Sequence, residues 1–285
     1  MRFKTAIISL LVLICPCAFC YGQLSFSGVN GERGYAAMRG VFKWDLDNGF
    51  FLTPSYEYYR MSDEKNVEET GTTHRYGMQS AYELTDDWKL FVGGFWQPRA
   101  VGYKSVRYES GISWQPFYRK GIFKNPQLLI GAGRGHSASY VNTLGERLPK
   151  PFKEEETYFK TQASADLSDW NIKALWHKVL QYSNPPRSDV SFSWADIPFM
   201  TAVVQGFLRE AAALQVSYKT NFITPYASLV RYRYAQVSRQ ATAVNAGLNI
   251  RWGETIVSGG VEVFEPRREI NRKTYFSMSV EIEFD

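Results

Sequence analysis

The feature that most constrains this chain is a strict alternation of apolar and polar side chains in TYFSMSVEIEF, residues 274–284. The two faces carry Thr274, Phe276, Met278, Val280, Ile282 and Phe284 on one side, and Tyr275, Ser277, Ser279, Glu281 and Glu283 on the other. A period of two indicates a β-strand. Eleven alternating residues exceed the 5–6 that are typical of strands in soluble proteins, so the pattern predicts a strand of unusual length.

The same alternation recurs along the chain, for example over 36–46, 74–84, 88–97 and 106–115. About 9–11 tilted residues are enough for a strand to cross a bilayer. Between these segments, tight turns such as LDNG (46–49) alternate with longer polar links such as SDEKNVEETGTT (62–73) and NTLGERLPKPFKEE (142–155). Alternating short and long connections are typical of an up-and-down barrel with short periplasmic turns and longer outside loops.

The predicted fold class is therefore all-β, an antiparallel up-and-down transmembrane β-barrel. Fourteen strands are predicted over 23–29, 35–46, 50–61, 74–85, 88–98, 104–116, 126–139, 155–167, 170–182, 211–220, 222–235, 241–252, 254–265 and 273–284. Twelve or sixteen strands stay open, because the segment 183–210 is ambiguous. A soluble β-sandwich also alternates, but its strands are shorter and its connections lack this rhythm.

The N-terminus predicts an export signal over 1–22, followed by the barrel over 23–285. Arg2 and Lys4 precede an apolar run from Ala6 to Cys15. All three cysteines lie in this signal, so the mature chain has none for disulfides. The formal net charge of +5 is too mild to indicate nucleic-acid binding, whereas 19 Phe, 18 Tyr and 8 Trp with a mean hydropathy of −0.31 suit a membrane barrel.

Taken together, the signal, the alternating strands and the closing segment YFSMSVEIEF resemble a bacterial outer-membrane β-barrel protein, with no subfamily identified. The resemblance implies location in the outer membrane, contact with its lipid, and recognition of the last strand by the barrel-assembly machinery. In one departure from the class, Asp285 follows the terminal aromatic residue Phe284.

An interface girdle is predicted beside the short turns, made of Trp44, Trp88, Trp170 and Trp252.

Charged residues on the polar parity are predicted to face the lumen. The pore-lining candidates are Arg39, Glu57, Arg75, Arg107, Glu109, Arg231, Arg233, Arg251 and Glu262. In a wet pore, such opposed charges would set the selectivity, with a mild excess of base favouring anions. Alternatively, they pair with one another in a filled interior.

The segment DIPFMTAVVQGFLREAAA (196–213) breaks the strand rhythm. Phe199, Val203 and Phe207 follow helical spacing, which predicts a short helix that narrows the barrel mouth. The competing interpretation is two additional strands that include DVSFSW (189–194).

Neither a catalytic nor a metal site is predicted. A nucleophile needs a base and the base needs an orienting group, but His74, His136 and His177 have no evident partners, and no cofactor is indicated. GAGRGHS (131–137) lacks the spacing of a phosphate loop and instead predicts a bare stripe that leaves room for large side chains.

The preferred function is a channel for small polar solutes or an exported polymer. The alternative is a closed barrel whose outside loops bind a partner or surface, and an outer-membrane hydrolase is third.

Overall fold

The fold of the protein was obtained as a computed structural model, which describes residues 22–31, 35–46, 48–61, 71–100, 102–116, 123–142, 146–187, 207–235, 240–266 and 272–284. These residues form fourteen strands: β1 Gly22–Gly31, β2 Ala36–Asp45, β3 Phe50–Met61, β4 Gly71–Thr85, β5 Trp88–Ala100, β6 Tyr103–Trp114, β7 Phe123–Val141, β8 Arg147–Leu167, β9 Trp170–Tyr182, β10 Leu208–Tyr218, β11 Ile223–Tyr234, β12 Gln240–Trp252, β13 Thr255–Pro266 and β14 Lys273–Phe284. The predicted number of strands is confirmed.

The strands form one closed antiparallel barrel in which every strand pairs with its neighbours in sequence, and β14 pairs with β1. The closing register runs from Gly22 opposite Phe284 to Gly31 opposite Tyr275. The alternating segment at the C-terminal end therefore closes the barrel. Closure satisfies the backbone groups that an open sheet edge would leave without partners in lipid.

Short and long connections lie at opposite ends of the barrel, which we call the turn end and the loop end. The turn end holds the ends of β1 and β14 and tight hairpins such as the one at Asn48 and Gly49, where φ is 53° and 72°. Positive φ at two successive residues is the geometry that two-residue hairpins favour. The resemblance to outer-membrane barrels predicts that the turn end faces the periplasm.

The hairpin of β7 and β8 is the tallest part of the barrel, with strands of 19 and 21 residues. The prediction that 142–155 is a polar link is wrong over Arg147–Glu154, which belongs to β8 and pairs with β7 at Arg147 and again from Phe152 onward. Pro149 and Pro151 are tolerated there because β9 pairs with β8 only from Glu156 onward, so this stretch is an edge strand.

The outward face of the barrel is an apolar belt. Exposed side chains on this face include Leu90, Val92, Leu229, Val244 and Met278. Exposing such a surface to water would be unfavourable, whereas in a bilayer it is the surface expected to face lipid. In the part of the chain that the structure describes, no helix is both long and apolar enough to span a membrane.

Candidate functional site

The candidate site is a group of charged side chains on the inner face of strands β2 to β8, here called the inner charge cluster. Its members are Arg39, Glu57, Arg75, Arg107, Glu109, Glu156 and Lys160. They share the inner face because they alternate along each strand with the outward belt. Strand pairing brings them close together although they are far apart in sequence.

The first part of the cluster is a carboxylate held between two arginines. Arg39 and Arg75 lie opposite Glu57 on its two neighbouring strands. The distances are 3.2 Å from Arg39 Nε to Glu57 Oε1 and 2.6 Å from Arg75 Nη2 to Glu57 Oε2. Glu57 is only 1% exposed, and a buried carboxylate is stable only with such charged partners.

The second part of the cluster joins β6 to β8 across the intervening strand β7. Arg107 Nη2 lies 2.6 Å from Glu156 Oε1, and Lys160 Nζ lies 2.5 Å from Glu109 Oε1. Tyr158 also donates to Glu109, at 3.3 Å. Both salt bridges therefore cross the inner face of β7, and no side chain of β7 stands between their partners.

Glycines on β7 make this crossing possible. Gly135 lies between Arg107 and Glu156 in the register, and a Cβ on it would be 2.8 Å from Glu156 Oε1. A Cβ on Gly133 would be 2.5 Å from the hydroxyl of Tyr158. The bare stripe predicted from GAGRGHS thus gives room to large side chains of the adjacent strands.

On the opposite side, the inner face of β9 to β13 carries an apolar cluster toward the loop end, here called the apolar wall. Its buried side chains are Leu175, Leu208, Ala211, Ala213, Val230, Tyr232, Ala241 and Ala243, with Tyr234 and Phe264 packed against them. The sequence interpretation missed this wall because it followed the charged residues alone. The run of small residues in EAAAL (210–214), in which Ala211 and Ala213 share one face, was the available signal.

The inner face differs between its two halves. Near the turn end, the inner pairs Lys89 with Glu83 and Arg251 with Glu283 are accessible to solvent, and Arg39, in the loop-end half of β2, is 42% exposed. Toward the loop end, inner residues such as Glu262 and Tyr232 are 0% exposed. Solvent therefore reaches several charged inner groups, whereas Glu262 and Tyr232 are fully buried.

Seven of the nine pore-lining candidates lie on the inner face: Arg39, Glu57, Arg75, Arg107, Glu109, Arg251 and Glu262. Arg231 and Arg233 do not; the structure places them on the outward face of β11, because Val230 and Tyr232 turn inward into the apolar wall. Without these two arginines, the inner face loses positive charge, and Glu154 and Glu156 add negative charge to it. The predicted excess of positive charge in the lumen is therefore absent.

The four girdle residues lie on the outward face beside the turn end. Trp252 is 84% exposed, and Trp88 and Trp170 are also exposed. Trp44 lies opposite Leu52 and is packed edge-on against Phe42 at 5.1 Å. An indole with an apolar body and a polar N–H is suited to the boundary between lipid and water.

Of the predicted constriction, Phe199 and Val203 lie outside the described residues, as does DVSFSW (189–194). Phe207 is described and is buried at the loop end. Its ring lies edge-on to Phe152 at 6.0 Å and to Tyr182 at 5.6 Å. These partners are on the inner face, so Phe207 lies on the inner side of the loop-end rim.

The three histidines are dispersed. His74 and His136 face outward, where Tyr56 and Tyr108 hydrogen-bond to their rings. His177 faces inward, with its ring centroid 5.1 Å from that of Tyr158. Among the described residues, no group of three His, Cys, Asp or Glu side chains is arranged to hold a metal ion.

Comparison with solved structures identifies the fold. The toluene transporter TodX of Pseudomonas putida is similar at 9% identity and a TM-score of 0.51, over 93% of this chain and 89% of TodX. CdiB from Acinetobacter baumannii is similar at 10% identity and a TM-score of 0.51, over 92% of this chain and 60% of CdiB. The KdgM porin matches at 9% identity and a TM-score of 0.43, over 92% of this chain and 99% of that chain.

No protein-family model matches the chain, and neither does any curated protein. At these identities the first two likenesses establish architecture, which does not itself fix a function. The architecture is that of bacterial outer-membrane β-barrels, which confirms the predicted class. The apolar outward belt and the tryptophans beside the turn end suit that membrane.

Proposed function

We propose that this outer-membrane barrel is a channel for small polar solutes. The observation that carries the proposal is the solvent-accessible charge on the inner face, at Arg39, Lys89 and Arg251. A closed barrel filled only for stability would favour an apolar interior, because burying charges costs free energy that their pairing seldom exceeds. Charged and hydrated walls suit the passage of ions and polar molecules.

The narrow section of this channel is the level of the inner charge cluster. There the paired charges of β2–β8 face the apolar wall of β9–β13, and side chains on both sides are buried. A solute passing this level contacts paired charges on one side and alanines on the other. Because the inner face has no excess of positive charge, we expect weak selectivity between anions and cations. The sequence had predicted a preference for anions.

The test is conductance of the refolded protein in a planar bilayer under a gradient of potassium chloride. We expect steady single-channel currents. Arg39→Gln removes a solvent-exposed positive charge from the inner face, so the reversal potential should shift toward cation selectivity. The matched control is Arg272→Gln, which changes an arginine at the loop-end rim that is 70% exposed and should leave the reversal potential unchanged.

The second candidate is a closed barrel whose outside loops bind a partner, and the near-complete burial of Glu57 and Glu262 favours it. Absence of current from protein that is folded, as shown by heat-modifiable gel mobility, would refute the channel and support this alternative. An outer-membrane hydrolase is the third candidate, and turnover lost on substitution of one rim-facing residue would identify it.

A further inference from the structure

The two arginines that the structure moves out of the lumen belong to a positive patch on the outside of the barrel. Arg231 and Arg233 of β11 face outward together with Lys178 of β9. The register places Lys178 and Arg233 on either side of Glu210. Neighbouring strands are about 4.8 Å apart and residues about 3.4 Å apart along a strand, so the Cα atoms of the three basic residues lie within about 12 Å of one another. We call them the outward basic cluster.

The contacts within this cluster leave it positively charged. Glu210 Oε2 lies 3.2 Å from Arg233 Nη1, and Glu210 Oε1 accepts a hydrogen bond of 2.7 Å from Trp176 Nε1. Arg231 Nη2 donates to the neutral Gln240 Oε1 at 3.2 Å. Three basic side chains therefore surround one carboxylate, and Glu210 fixes the orientation of Arg233 and Trp176 rather than neutralising the group.

The apolar belt begins directly beneath the cluster. In the register, Ala212 lies between Trp176 and Arg231. One step closer to the turn end, Leu214 and Leu229 lie opposite each other on the outward face, and both are exposed. The small side chain of Ala212 leaves a recess with an indole and a guanidinium as its walls and leucines beneath. Cationic groups at this height lie at the level of lipid headgroups.

We propose that the outward basic cluster binds the phosphate-bearing headgroup of an anionic lipid in the leaflet at the loop end. The guanidinium groups of Arg231 and Arg233 donate paired N–H groups to phosphate oxygens, a geometry that arginine matches well. The acyl chains lie along Leu214 and Leu229. This site is independent of the lumen and does not rest on the proposed channel function.

The test measures lipid binding by native mass spectrometry of the refolded protein in non-ionic detergent. The probes are dioleoyl phosphatidic acid and dioleoylglycerol, which share their acyl chains and differ in the phosphate. We expect phosphatidic acid to bind more tightly. Because one basic residue near an anionic headgroup changes binding about fivefold, Arg231→Gln with Arg233→Gln should weaken phosphatidic acid binding on the order of 25-fold. Binding of dioleoylglycerol should not change.

The matched control is Arg134→Gln on β7, an exposed outward arginine that lies opposite Tyr108 and Thr157 and outside the cluster. It should change phosphatidic acid binding less than twofold. Equal weakening by Arg134→Gln, or equal affinity for the two lipids, would overturn the proposal. Displacement of phosphatidic acid by an equal concentration of inorganic phosphate would instead indicate a site for free phosphate. If the double variant does not fold, Lys178→Gln alone should weaken binding about fivefold.

Discussion

Loss of the salt bridge between Arg107 and Glu156 should strongly destabilise the barrel. The two groups are 2.6 Å apart, and their side chains are only 10% and 7% exposed. Removing one partner leaves the other charge buried without compensation, which typically costs about 3–5 kcal/mol. We therefore expect Arg107→Met and Glu156→Gln each to lower the free energy of unfolding by about that amount.

The double variant distinguishes a buried pair from a wet one. When both charges are removed together, no uncompensated charge remains, so Arg107→Met/Glu156→Gln should be more stable than either single variant. The control pair, Arg272 and Glu265, is 3.3 Å apart, with side chains 70% and 55% exposed. Its single variants should each cost no more than about 1 kcal/mol.

The assay is equilibrium unfolding by urea of the refolded protein in lipid vesicles, followed by tryptophan fluorescence. Single variants at Arg107 and Glu156 that cost less than about 1 kcal/mol, with an additive double variant, would contradict the reasoning. In that case water screens the inner charge cluster, and the packed section of the lumen is in fact open.

Three further predictions test the β7 stripe, the girdle and the loop end. Gly133→Val places a side chain against Tyr158 and should cost about 1–3 kcal/mol in urea unfolding, whereas Gly259→Val, with its nearest neighbour atom 4.0 Å away, should cost far less; equal costs would refute the steric argument. Trp252→Phe should reduce the fraction of fluorescence quenched by lipids brominated near the headgroup, and an unchanged fraction would place Trp252 outside the lipid interface. Burial raises the pKa of Glu154, on the part of β8 above the apolar belt, so its contribution to stability is present below pH 4.5 and is lost as pH rises through the raised value; Glu154→Gln should remove this loss from the urea midpoint, and an unchanged pH profile would contradict it.

Alternation in the sequence was sufficient to predict the barrel, because a period of two assigns each side chain to a face once the strand is recognised. It also placed Glu57, Arg75 and Arg107 on the inner face. The same reasoning failed for Arg231 and Arg233, which were assigned inward as charged residues on the polar parity, and charge facing lipid is costly. Both arginines lie in the last four residues of β11, where the proposed level of the lipid headgroups removes that cost.

The contacts within the inner charge cluster could not be predicted from the sequence, for a different reason. Arg107 and Glu156 are two strands apart, and their contact depends on the register of two strand pairs and on Gly135 between them. The alternation assigns each side chain to a face of the sheet, but it does not show which residues of neighbouring strands lie opposite each other. The extension of β8 through Pro149 and Pro151 was hidden because prolines mark loops as well as edge strands.

The seam between β1 and β14 determines the order in which this barrel can be completed. Every other pair of neighbouring strands is joined by a connection in the chain, whereas Gly22 and Phe284 meet from opposite ends of the sequence. Until β14 is in place, both edges of the sheet remain open, and open edges invite pairing with other chains. Because β1 and β14 are the neighbouring strands that lie farthest apart in the chain, we expect the seam to form last. Until then, an unfinished barrel would expose both edges to pairing with other chains.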